Sequence, residues 1–155
     1  MSAASDFMEN TFVDVMFRGQ NATINGKTLT WSAAPTLYFA LFTAAPSDSG
    51  GGTEVTIGSN AYARASITGS LTNFNGTHGT TTGASSGTGG QTSNAVDINF
   101  ATPTPAGWGT ITSWGIYDAA SGGNLLFWGT LTSNKTINAS DTVKFAAGQF
   151  VITVA

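Results

Sequence analysis

The stretch ITSWGIYDAASGGNLLFWGTL, Ile111 to Leu131, decides how the chain is read. Two Trp-Gly pairs lie in it, Trp114-Gly115 and Trp128-Gly129, and Trp108-Gly109 stands just upstream. Large flat rings beside residues without side chains suit either a sugar-stacking platform or the packed centre of a sheet. The segment AASGG, residues 119–123, is a five-residue loop ending in glycines, so the apolar runs around it read as a hairpin. Pairing Asp118 with Asn124 sets Tyr117 opposite Leu125, Ile116 opposite Leu126, Gly115 opposite Phe127 and Trp114 opposite Trp128. Cross-strand aromatic pairs contribute roughly 0.2–1 kcal/mol relative to Ala, and a ring over a facing glycine covers bare backbone. A slip of one residue would turn every side chain to the other face.

Working outward, the rest of the chain also reads as short strands. Leu37–Thr43 is apolar on both faces, as a buried central strand would be. Tyr62–Ile67 reads as a strand carrying Arg64, and Val96–Phe100 alternates apolar with polar. Thr110–Tyr117, Leu125–Thr130, Thr136–Ile137, Thr142–Phe145 and Phe150–Val154 follow, joined by Gly, Asn and Asp turns. The pattern predicts a mainly β fold, a single jelly-roll-like β-sandwich over residues 21–155. Residues 69–94 are almost all Gly, Thr, Ser and Asn; they read as a mobile surface excursion or as two tracts paired in a polar hairpin.

One segment reads as helix, at about residues 6 to 18, within an N-terminal docking segment of residues 1–20. Asp6 with Glu9 resembles a capping box, and Gly19 suits the exit. Met8, Phe12, Val15 and Met16 form one stripe, with Asp14 and Arg18 as an i,i+4 pair on the outside. The stripe needs a surface, either the chain's own sheet or a partner chain. Phe12, Val15 and Met16 are therefore the candidate interface residues.

Composition narrows the function. Of 155 residues only 8% are charged, 20 are glycine and none is cysteine, with a net charge of −3. Polarity rests on hydroxyls and backbone, cysteine chemistry is absent, and no basic stripe exists to meet nucleic acid. No apolar run of about 18 residues suggests a membrane span, and the acidic N-terminus is not that of a secretory leader. Gly83-Ala-Ser85-Ser-Gly87 matches a nucleophile elbow in letters, but lacks the strand before it and the helix after it. His78 is the only histidine and reads as a surface residue; no metal-ligand spacing or nucleotide fingerprint occurs. The expectation is a protein without catalytic, cofactor or metal site. Trp114 and Trp128 read as core or subunit interface. Trp31 and Trp108, beside loops, are the candidate ligand contacts if a sugar is bound.

The succession FRGQ (Phe17 to Gln20), TLYFALFTAAPSDSGGGTEV (Thr36 to Val55), AYARASI (Ala61 to Ile67), WGTITSWGIYDAASGGNLLFWGTL (Trp108 to Leu131) and KTINASDTVKFAAGQFVITV (Lys135 to Val154) resembles small tailed-bacteriophage tail fibre or minor structural proteins. It covers nearly the whole chain except residues 69–94. The resemblance implies a non-enzymatic virion component: a β-sandwich attached by its terminal region, associating with copies of itself, often in threes, and with other virion proteins. A tail-fibre component and a capsid decoration protein both fit, and a module reading host surface glycans is the alternative.

Overall fold

The computed structural model describes residues 4–30, 33–79 and 82–154. Its elements are α1 (Asp6–Met16), β1 (Ala22–Ile24), β2 (Lys27–Leu29), β3 (Thr36–Ala44), β4 (Thr53–Glu54), β5 (Ala65–Thr68), β6 (Phe74–Asn75), β7 (Gln91–Asn94), β8 (Ile98–Asn99), β9 (Gly109–Tyr117), β10 (Leu125–Ile137), β11 (Lys144–Phe145) and β12 (Val151–Thr153). The fold is mainly β, built of several antiparallel sheets with one short N-terminal helix, in agreement with the sandwich reading.

Two compact units divide the chain, one of Met1–Pro35, Thr68–Ile98 and Phe145–Ala155, the other of Thr36–Ile67 and Asn99–Lys144. The first holds α1, the β1–β2 hairpin and the three-stranded sheet β12-β7-β6. Its apolar centre is Val13, Phe17, Phe74, Phe150 and Ile152, all buried, with the Phe17 and Phe74 rings 5.7 Å apart. The hairpin turns at Asn25 and Gly26, both at positive φ (49° and 70°). That is the Asn-Gly turn that best matches strand twist.

The second unit is organised on the sheet β10-β9-β3-β4, with β5 also paired to β3. β3 runs through its middle and buries Leu37, Phe39, Ala40, Leu41 and Phe42, as a run apolar on both faces should. The predicted strand at Tyr62–Ile67 begins three residues later, at Ala65, because the Tyr62 side chain is drawn into the core instead. The alternation at 96–100 yields strand only at Ile98–Asn99.

The hairpin of the opening stretch forms, but in a different register. Leu125 faces Tyr117 as expected; a bulge then absorbs Leu126, so Phe127 faces Ile116, Trp128 faces Gly115 and Gly129 faces Trp114. The rings therefore do not face each other. Across three strands one row reads Ala40, Gly115, Trp128 and the next Leu41, Trp114, Gly129. Each tryptophan lies opposite a glycine, which interdigitates large with small. A Cβ on Gly129 would sit 2.7 Å from the Trp114 ring, and one on Gly115 2.9 Å from Phe42. A second irregularity between Thr130 and Lys135 lets β10 run on to Ile137 as one long strand at the sheet's end.

Candidate functional site

The helix carries its amphipathicity the opposite way round from a helix that covers a core. α1 spans Asp6–Met16, and Ser5, not Asp6, stands at its N-cap. The face turned inward is Glu9, Asn10, Val13 and Asp14. Residues 69–94 supply what those polar groups need. The Gly90 N–H donates to Glu9 Oε2 at 2.9 Å, Asn10 Nδ2 donates to the Gly87 carbonyl at 2.8 Å, and the Thr77 hydroxyl donates to Asn10 Oδ1. Asp14 accepts from the Ser85 N–H at 2.7 Å, from Ser85 Oγ at 2.6 Å and from Arg18 Nη1 at 2.6 Å. Gly90 permits the approach, since a Cβ there would lie 2.5 Å from that of Glu9.

Two expectations are corrected by this arrangement. The Asp14–Arg18 pair is inside, with Arg18 at 0% exposure, because the hydroxyls and amides of the tract solvate it in place of water. Of the two readings of the tract, the paired one describes it and the mobile excursion does not: β6 and β7 pair antiparallel, and Phe74, Thr77, Thr92 and Asn94 are buried. Low-complexity polar sequence satisfies buried polar groups as well as solvent does, provided each donor meets an acceptor.

With its polar face inward, α1 presents the apolar stripe outward. Phe7 is 60% exposed, Met8 42% and Phe12 37%. Met8, Phe12, Val15 and Met16 line an apolar groove of about 310 Å³ together with Ile24 and Leu29 of the β1–β2 hairpin. The three interface residues read from sequence thus lie together. Ile24 and Leu29 were missed, although the Asn25-Gly26 dipeptide was the signal that a hairpin stood beside the helix.

The tryptophans sort differently from expectation. Trp31 lies outside the described residues, as does the side chain of His78. Trp108 is only 6% exposed. Its Nε1–H donates to the Asn60 carbonyl at 3.0 Å, and its ring meets Tyr62 edge-on at 5.1 Å. A ring held this way is core, not a ligand platform, because the break at residues 102–107 folds it inward rather than leaving it at a loop. Among the described residues the exposed indole is Trp128, 38% accessible on β10, whose Nε1–H donates to Asp48 Oδ1 at 3.3 Å.

Arg64 organises the nearby end of the sheet. It donates to Glu54 through Nε at 2.9 Å and Nη2 at 2.7 Å, a bidentate pair. Nη1 reaches the carbonyls of Ala119 and Gly122, each at 2.8 Å, and the guanidinium lies 3.5 Å over the Tyr117 ring. Tyr62 donates to Glu54 at 3.2 Å and accepts the Leu41 N–H at 2.8 Å. Burial pushes the Tyr62 hydroxyl far above its usual pKa, so it remains a hydrogen-bond donor at any physiological pH. The network is structural: it ties β3, β4, β5 and the hairpin turn together.

Among the described residues no three His, Asp or Glu side chains gather as metal ligands, and no helix is long and apolar enough to cross a membrane. Ser85 of the elbow-like letters gives its hydroxyl to Asp14 and accepts from Arg18 at 3.0 Å, inside the polar seam under α1. A family model described as "Podophage GP4 fiber I protein gp80" matches residues 3–153. No curated protein matches the chain.

Proposed function

Because the chain belongs to the podophage GP4 fiber I protein gp80 family, and so is a component of the phage virion, we propose that it is a non-enzymatic building block of a tail fibre or tail appendage. It assembles as a homo-oligomer, a trimer by preference, through the outward face of α1. The observation that carries this is the inverted helix: polar side inward on residues 69–94, apolar side outward beside Ile24 and Leu29. Burying a large apolar side chain contributes roughly 1.5–3 kcal/mol, and three such side chains on one helix face are a costly thing to leave in water. The fibre in the family's description favours the tail over the capsid-decoration reading.

Sedimentation velocity of the purified chain tests this. A concentration-dependent oligomer is expected for the native chain. The double substitution Phe12→Asp with Val15→Asp is expected to give monomer with an unchanged circular dichroism spectrum, weakening association by at least ~100-fold, since desolvating two charges costs several kcal/mol. A native chain that is monomeric at all concentrations, or a variant that associates as well, overturns the assignment of this face.

A second reading has its own observation. The exposed Trp128 ring beside the Asp48 carboxylate favours recognition of host surface glycans by the same protein.

A further inference from the structure

We propose that the cleft between the Ser47–Gly50 turn and the Asp118–Asn124 turn, with Trp128 at its rim, binds an uncharged pyranose residue. This rests on the glycan reading above and narrows it to one site and one class of sugar. The cleft encloses about 370 Å³, and Asp48, Ser49, Gly51, Tyr117, Asn124 and Leu125 are among its walls. That volume lies within the range of small-ligand sites, ~300–1,000 Å³.

Three kinds of group converge there. Leu125 supplies an apolar contact, and its registered partner Tyr117, whose ring carries the Arg64 guanidinium, closes the cleft beside it. The indole of Trp128 lies on the same sheet face, since the row Ala40, Gly115, Trp128 is two residues along β9 from Tyr117. A sugar's C–H face stacks on such a ring, which is amphipathic with its N–H at one edge. Asp48, Ser49 and Asn124 give the cleft a mainly polar lining, and Asp48 and Asn124 offer a carboxylate and an amide to the ring hydroxyls. The indole N–H already holds Asp48 at 3.3 Å, so ring and carboxylate are set side by side.

Both rims are fixed before any ligand arrives. Ser47 and Gly50 exchange backbone hydrogen bonds at 3.0 and 2.8 Å. Asn124 donates its N–H and its Nδ2 to the Asp118 carboxylate, each at 2.7 Å, while Arg64 holds the Ala119 and Gly122 carbonyls. Gly123 is required in that turn, where a Cβ would lie 2.4 Å from Asp118 Oδ1. Preorganised rims lower the ordering cost of binding.

Charge selects the sugar class. Asp48 lines the cleft and Asp118 stands behind Asn124; the Asn124 amide and N–H hold the Asp118 carboxyl below its usual range, so it is ionised. Arg64 is committed to Glu54 and to the turn carbonyls. A pyranose bearing a carboxylate or phosphate meets like charge here, whereas a neutral one does not.

The test titrates the full-length chain with the methyl glycosides of glucose, galactose, mannose and N-acetylglucosamine, and with methyl glucuronide. The indole N–H resonances of ¹⁵N-labelled protein are followed. At least one neutral glycoside is expected to shift the Trp128 resonance, and the glucuronide to leave it in place. Trp128→Ala and Asp48→Ala should each weaken that binding by ~10-fold or more, read in the first from the remaining indole and backbone amide resonances, with both variants folded and the midpoint of Asp48→Ala unchanged because its side chain is exposed. Neutral-sugar binding that persists in both variants overturns the site while the glycan reading stands. Absence of any shift overturns it too. Adsorption of the labelled chain to host cells, before and after periodate oxidation of their surface sugars, then separates the two: periodate-sensitive adsorption leaves the glycan reading intact, and insensitive adsorption removes both.

Discussion

Replacing Arg64 with alanine is expected to destabilise the sheet unit by about 3–5 kcal/mol, the range for breaking a buried ion pair from one side. The side chains of Arg64 and Glu54 are 3% and 18% exposed, so the carboxylate left behind stays largely cut off from water. Glu54 loses both of its guanidinium hydrogen bonds and keeps only the Tyr62 hydroxyl. At the same time the carbonyls of Ala119 and Gly122 lose their donor, and Tyr117 loses the cation over its ring. Domains are stable by only ~5–15 kcal/mol in total, so this is a large share. Urea unfolding of Arg64→Ala and Arg64→Lys measures it. The lysine should recover only part of the loss, because an ammonium cannot form the planar fork. An Arg64→Ala unfolding free energy within ~0.5 kcal/mol of the native chain's would mean that the network holds nothing together.

The second large effect is expected at Arg18→Ala. This guanidinium is fully buried, joins Asp14 at 2.6 Å and reaches Ser85 Oγ at 3.0 Å. Gly76 makes room for it, since a Cβ there would lie 2.7 Å from Nη1. Removing it leaves the Asp14 carboxylate, itself 10% exposed as a side chain, buried with only the Ser85 donors. A loss of about 3–5 kcal/mol follows from the same argument, and it should fall on one place. Hydrogen exchange is expected to quicken at the amides of Ser85 and Gly90, which donate to α1, while amides of β3 and β9 stay protected. Uniform acceleration through the whole chain would contradict a local seam between α1 and residues 69–94.

Much of the sheet was legible because its signals are local. Leu37–Thr43 is apolar on both faces and forms the middle strand, and the glycine-ended loop at 119–123 closes a hairpin. The register was not legible, because the Leu126 bulge depends on packing across three strands. Pairing Trp128 with Gly115 and Gly129 with Trp114 fits Phe42 and Leu125 against the bare backbone, and hairpin symmetry alone does not show this. The helix was legible as an element and its stripe as a surface. Which side faced the protein depended on residues 69–94, whose letters carry no periodicity. Their buried hydroxyls and backbone N–H groups draw in Glu9, Asn10 and Asp14, and the apolar side is left outward as a consequence. Trp108 went the other way: its indole N–H found the Asn60 carbonyl, a partner 48 residues distant that no window along the chain would reveal.

The outward face of α1 is tested most directly inside the assembled particle. A photo-reactive phenylalanine analogue placed at Phe12 reports which chain lies against the helix when intact virions are irradiated. The expected result is an efficient adduct between position 12 and a second copy of this chain, with a control probe at exposed Thr132 showing lower yield. Irradiated virions in which position 12 forms no adduct above that control would contradict the assignment of this face as the docking surface.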